Sequence, residues 1–205
     1  MKEYYYDKLL NIRTRGKKED TLWSDGLHYY PYEPTSYHAL EALTKHYEIN
    51  KEDRFVDFGC GKGRLPLFLH HYFGVSAVGI EMDSILYDAA IHNKESYSHK
   101  HGNADNVQFY CGYAEEYEPQ ALDNRFYFFN PFSVDIFKQV IHKLADFYQG
   151  ISKEIDIILY YASEEYVSFL QEETNFERKK EIRVPFLYYM DRSERFLIYR
   201  LHSLK

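Results

Sequence analysis

At 205 residues the chain suits one domain, or a domain with a short extension, and it can bury a sizeable core. Its net charge of −7 argues against a sequence-independent grip on nucleic acid, which needs clustered Lys and Arg, but leaves a nucleic-acid substrate open. Cys60 and Cys111 are too few for a disulfide framework, no Cys/His spacing suggests a metal, and neither a signal peptide nor a membrane-length apolar run is present, so a soluble cytoplasmic chain is expected.

Residues 1 to 34 mix charges, aromatics and turn residues without sustained periodicity, with Arg13, Arg15, Lys17 and Lys18 set against Glu19 and Asp20. They read as an N-terminal extension or lid ahead of one domain over residues 35 to 205. Within them, Tyr32-Glu33-Pro34 leads to Thr35 and Ser36, either of which is a plausible N-cap for a helix whose apolar positions are Leu40, Leu43 and Tyr47. Pro34 fixes the chain direction there, so the segment could fold over a pocket and bring Tyr32 to a substrate and Thr35 to a cofactor.

Phe55 to Phe58 forms a first strand, Gly63 to Tyr72 a helix and Val75 to Ile80 a second strand, one β-α-β unit. Asp83 and Ser84 can cap a helix to about Asn93, and polar Glu95 to Asn106 reads as its frayed end and a loop. Val107 to Cys111 is a third strand, and Arg125 to Phe129 a fourth that ends at Asn130-Pro131-Phe132. Ser133 then caps a helix with the core face Ile136, Phe137, Val140, Ile141 and Leu144. Ile155 to Tyr161 is a fifth strand, and Ser163 opens a helix to about Glu172. Glu181 to Tyr189 and Phe196 to Leu201 flank a turn at Met190 to Arg195, a closing hairpin. The fold class that follows is α/β, a doubly wound, mostly parallel seven-stranded sheet with an antiparallel C-terminal hairpin strand and helices on both faces.

The most informative stretch is Asp57-Phe58-Gly59-Cys60-Gly61-Lys62-Gly63-Arg64. Glycines at alternate positions let the backbone turn tightly and approach a ligand, and the following helix presents free N–H groups. Glu81, closing the next strand, is placed to accept hydrogen bonds from ribose hydroxyls. A dinucleotide fingerprint wants its third glycine where Arg64 stands, which disfavours an oxidoreductase using a nicotinamide cofactor. The spacing Asp-x-Gly-x-Gly-x-Gly, with Glu81-Met82 after the second strand, resembles class I S-adenosylmethionine-dependent methyltransferases. That resemblance implies S-adenosylmethionine as cofactor, held by Thr35, Asp57, Gly59, Cys60, Gly61, Gly63, Arg64, Glu81, Met82, Tyr113, Ala114 and Asn130. Tyr113-Ala114 stands where the family often has an acid before alanine at the adenine ring.

Asn130-Pro131-Phe132 is similar to the Asn-Pro-Pro-Phe or Asn-Pro-Pro-Tyr motif of amino-group methyltransferases, with one proline missing. It is also similar to the shorter Asn-Pro-Phe of a broad group with varied substrates. The resemblance implies that Asn130 and the Pro131 carbonyl orient a target amine and that Phe132, with Tyr32, packs the substrate. A small molecule or protein side chain is the favoured acceptor, nucleic acid the disfavoured one, and no membrane partner is expected. Turnover is expected, with a non-catalytic cofactor-binding module as the alternative. Oligomeric state is not legible.

Overall fold

Strands buried on both faces and helices with one apolar stripe can satisfy each other only in layers, and this chain forms three. The computed structural model describes residues 2–16 and 29–201, so Lys17, Lys18, Glu19 and Asp20 lie outside the described residues. Strands β1 (Arg54–Phe58), β2 (Ser76–Glu81), β3 (Val107–Cys111), β4 (Arg125–Phe128) and β5 (Ile155–Tyr160) run parallel, while β6 (Phe176–Arg183) and β7 (Arg195–Leu201) form an antiparallel hairpin. The sheet order is β3-β2-β1-β4-β5-β7-β6, with β7 antiparallel to β5. Strand order reverses between β1 and β4, where open α/β sheets present a crevice at their carboxyl ends.

Side chains alternate across the sheet. On β1 and β4, Phe55 and Tyr127 join one core with α2 (Tyr37–His46), α3 (Arg64–Phe73) and α4 (Ser84–His101). Val56, Phe58, Phe126 and Phe128 join the opposite core with α5 (Val134–Phe147) and α6 (Glu164–Glu172). Ser36, Asp83 and Ser163 accept backbone N–H groups as caps of α2, α4 and α6.

Three elements differ from expectation. Residues 2–10 form helix α1 (Lys2–Leu10), which buries Asp7 and Leu10 against the α2, α3 and α4 side, followed by buried Ile12 and Thr14. Tyr4 and Tyr5 on this helix are exposed, so its sequence carries little amphipathic signal. Helix α4 runs on to His101, because buried Asn93 and Tyr97, four residues apart, share one face of an otherwise polar helix. The hairpin begins earlier: β6 spans Phe176–Arg183, and the run toward Tyr189 breaks at Val184-Pro185 into α7 (Leu187–Met190). Exposed Glu177-Arg178-Lys179-Lys180 hid that edge strand from a reading based on apolar residues.

If α1 is integral to the core, Leu10→Ala lowers unfolding free energy by about 2–5 kcal/mol. Urea denaturation measures this, and a loss below about 0.5 kcal/mol would mean that α1 is a dispensable appendage.

Candidate active site

A cavity of about 920 Å³ opens at the carboxyl ends of β1, β2, β3 and β4, beneath the segment Tyr29 to Thr35. Asp57, Gly59, Cys60, Arg64, Glu81, Met82, Tyr113, Ala114, Asn130, Pro131 and Phe132 line it, as do Tyr32 and Thr35. Gly61 and Gly63 are not among the lining residues. At Gly61 (φ 53°) an added Cβ would lie 2.1 Å from the Tyr32 ring, so the missing side chain makes room for Tyr32. Gly63 (φ 80°) is the N-cap of α3, and a Cβ there would meet Phe109 at 2.5 Å.

Tyr32 is held over the loop by its hydroxyl, which donates to the Thr14 carbonyl at 2.6 Å, and by Lys62, whose Nζ sits 5.1 Å from the ring centre. Beside it, the Thr35 and Tyr127 hydroxyls are hydrogen-bonded at 2.7 Å. Tyr127 is the register partner of Asp57 across the β1–β4 pair and also lines the cavity.

Two carboxylates meet here in different circumstances. Glu81 accepts the Gly61 N–H on Oε2 at 2.8 Å and the Asp83 N–H on Oε1 at 2.9 Å, tying the glycine loop to the start of α4. Asp57 is buried, and its carboxylate accepts no hydrogen bond from the described residues. Burial, and then the nearby Glu81 charge, push its carboxyl well above the usual range. Burial likewise raises the Cys60 thiol, which disfavours a reactive thiolate.

Arg64, standing where a dinucleotide fingerprint wants its third glycine, turns toward the N-terminal segment. Its Nε donates to Thr14 Oγ1 at 2.7 Å and its Nη1 to the Thr35 carbonyl at 2.9 Å and to Glu3, while the guanidinium lies 4.3 Å from the Tyr37 ring centre. Nη2 is buried without a hydrogen-bond partner among the described residues; the Asp7 carboxylate is 4.0 Å away.

At the end of β4, Asn130 takes a left-handed backbone (φ 42°), and its Oδ1 is buried without a partner among the described residues. The Pro131 carbonyl accepts the Tyr30 N–H at 3.0 Å, and Pro131 packs where a Cβ on Gly59 would be. Phe132 is almost wholly buried, edge-on to Tyr29 at 5.7 Å, and its carbonyl accepts the Tyr166 hydroxyl. Tyr29 in turn donates to Glu115 Oε2 at 2.7 Å. The structure therefore places Asn130 on the cavity with a buried acceptor that has no partner among the described residues, whereas the Pro131 carbonyl and the Phe132 ring are engaged within the protein.

Tyr29, Tyr127, Phe129 and Tyr161 line the same cavity and were not singled out from sequence. Strand register could have found Tyr127, and the end of β5 could have found Tyr161. Among the described residues, no group of three His, Cys, Asp or Glu side chains is arranged to hold a metal, and no helix is long and apolar enough to cross a membrane.

No family model matches this sequence, and no curated protein matches it. Similar folds do occur among solved structures. A candidate RNA methyltransferase from Pyrococcus horikoshii superposes with a TM-score of 0.61 at 18% identity, over 100% of this chain and 99% of that one. A human methyltransferase 10 domain containing protein gives 0.59 at 15% identity, over 84% and 86%. An RNA methyltransferase from Salinibacter ruber, in complex with S-adenosyl-L-homocysteine, gives 0.54 at 17% identity, over 83% and 92%. At these identities the likeness is one of fold, the α/β sheet of methyltransferases.

Because Asp57 has a raised pKa when folded, folding is favoured below the unfolded value of about 4 and loses that contribution as pH rises through the folded value. Asp57→Asn is therefore expected to stabilise the ligand-free protein at pH 7, with the gain closing near pH 3–4. Thermal unfolding across pH reads this, and a pH-independent difference would contradict it.

Proposed function

We propose that this chain is an S-adenosylmethionine-dependent methyltransferase that transfers a methyl group to a nitrogen of its acceptor. The observation carrying the cofactor reading is that two residues lining one cavity keep hydrogen-bonding capacity of opposite kind: the Asp57 carboxyl accepts no bond from the described residues, and Arg64 Nη2 donates none, although the guanidinium is paired through Nη1 with Glu3. An amino-acid moiety with both an ammonium and a carboxylate is the ligand class that answers both.

In this reading Asp57 takes the ammonium and Arg64 the carboxylate, while Gly59 and Cys60 shape the wall and Gly61 and Gly63 set the loop's path. Glu81, which accepts the Gly61 and Asp83 N–H groups and lines the cavity at the end of β2, takes the ribose hydroxyls. Met82, Tyr113 and Ala114 flank the base, and Thr35 closes the opposite side through its bond to Tyr127. When bound, the cofactor supplies an electrophilic methyl on a sulfonium.

Transfer of that methyl is an in-line displacement, so the protein's task is chiefly alignment and exclusion of water. Asn130 Oδ1 accepts an N–H from a neutral acceptor amine and thereby aims the nitrogen lone pair. Pro131 and Phe132 act as positioning residues: the carbonyl of Pro131 anchors Tyr30, and the ring of Phe132 anchors Tyr29. Tyr32, packed on Gly61, shields the loop side from solvent.

Calorimetric titration with S-adenosylmethionine, S-adenosylhomocysteine and NAD tests the reading. The two adenosyl ligands should bind and NAD should not, and Glu81→Ala should weaken binding by about tenfold or more, a loss of at least about 1.4 kcal/mol. NAD binding, or binding of none of the three, would overturn it. Asn130→Gly removes the amide and suits the left-handed backbone. It should retain cofactor affinity within about threefold while abolishing methyl transfer, and retained transfer would favour another orienting group.

A further inference from the structure

The net charge of −7 is unevenly spread. From the start of β6 to the start of β7, residues 176 to 195, six basic side chains (Arg178, Lys179, Lys180, Arg183, Arg192, Arg195) outnumber four acidic ones (Glu177, Glu181, Asp191, Glu194). At its tip three large side chains stand in solvent: Phe186 is 78% exposed, Tyr189 79% and Met190 87%. Tyr188 lies beside them with the Arg183 and Arg192 guanidinium carbons each 4.8 Å from its ring centre. Phe186 holds φ 66° and ψ −48°, a costly backbone for a residue with a side chain, and the ring it displays gains no burial in return.

The tip is tethered to the cavity. Register places the end of β6 and the start of β7 beside the carboxyl end of β5. Tyr161, which lines the cavity, donates its hydroxyl to Asp191 at 2.5 Å, and Tyr160 donates to Glu194. Strand β6 lies at the sheet edge, but exposed Arg178 and Lys179 and an irregular register between Arg178 and Lys180 blunt it against addition of a peptide strand. Arg183 and Arg195 pair with Glu181, so the basic side chains outside those ion pairs include Arg192 at the tip and Arg178 and Lys179 along β6. Together with the flat apolar faces standing in solvent they suit an anionic chain that carries planar groups.

We propose that the hairpin tip is a docking platform for single-stranded nucleic acid. Bases stack on Phe186 and Tyr189, while phosphates meet Arg192 at the tip and Arg178 and Lys179 farther down β6. The nucleic acid's role as the methyl acceptor rests on the proposed methyl transfer, whereas its binding to the hairpin does not.

Fluorescence anisotropy with a labelled single-stranded RNA of about 12 nucleotides tests this on the full chain. Tyr189→Ala should weaken binding by about tenfold, and Arg192→Glu should weaken it and flatten its salt dependence. Phe186→Gly should weaken binding while leaving the unfolding midpoint unchanged or higher, because glycine relieves the backbone. No RNA binding, or binding indifferent to all three substitutions, overturns the proposal. So does tip-dependent binding to phosphatidylserine vesicles without RNA binding, or tip-dependent dimerisation in light scattering. Calorimetry with S-adenosylmethionine on the same samples keeps the two readings apart: cofactor binding without RNA binding sinks only the platform, and RNA binding without cofactor binding sinks only the methyltransferase.

Discussion

The bridge made by Glu81 is the interaction on which the cavity's shape depends. One carboxylate at the end of β2 accepts N–H groups from Gly61 and Asp83, joining the turn after β1 to the turn before α4. Both turns leave adjacent parallel strands, and both would otherwise hold backbone donors away from water. A neutral side chain of similar size cannot accept both bonds with equal strength, because bonds to an ionised acceptor are about twice as strong as neutral ones. The same charge raises the cost of ionising Asp57 nearby. The feature that fixes the loop therefore also leaves the cavity with an acid in need of a positive partner.

Arg64 performs the corresponding task on the other side of the glycine loop. A guanidinium presents five donors in a rigid fork, and this one binds Glu3 on α1, Thr14 after it and the carbonyl of Thr35. It thereby joins three segments far apart in sequence to the first turn of α3. Thr14 also accepts the Tyr32 hydroxyl on its carbonyl, so the residue covering Gly61 is set by the same network. The N-terminal segment thus contributes both core packing through Leu10 and Ile12 and one wall of the site.

How much could be read from the sequence depended on whether a signal was local. The glycine spacing, Glu81 and the end of β4 were legible because turn chemistry and strand termini are written in neighbouring residues. Helix α1 was not, because its anchoring uses polar contacts of Asp7 with Thr14 and Tyr37 and an ion pair of Glu3 with Arg64, which no periodicity encodes. The engagement of the Pro131 carbonyl by Tyr30 was likewise invisible, since it is a tertiary contact between the segment over the cavity and the β4 turn. Arg64 was legible as a departure from a dinucleotide pattern, but its partners were not.

Backbone strain completes the physical picture of this edge of the sheet. Asn130, Tyr161 and Phe186, three of the four non-glycine residues with positive φ among the described residues, follow β4, β5 and β6. Each such residue costs roughly 1–3 kcal/mol unless its surroundings repay it, and asparagine tolerates the conformation better than an aromatic residue does. Tyr161 is compensated by its bonds to Asp191 and Arg195, whereas Asn130 keeps a buried orphan oxygen. Folding alone would favour glycine at Phe186 and a satisfied group at Asn130. Both residues sit at the carboxyl edge of the sheet, where the cavity and the exposed hairpin tip meet, so the cost to folding is concentrated beside the proposed site.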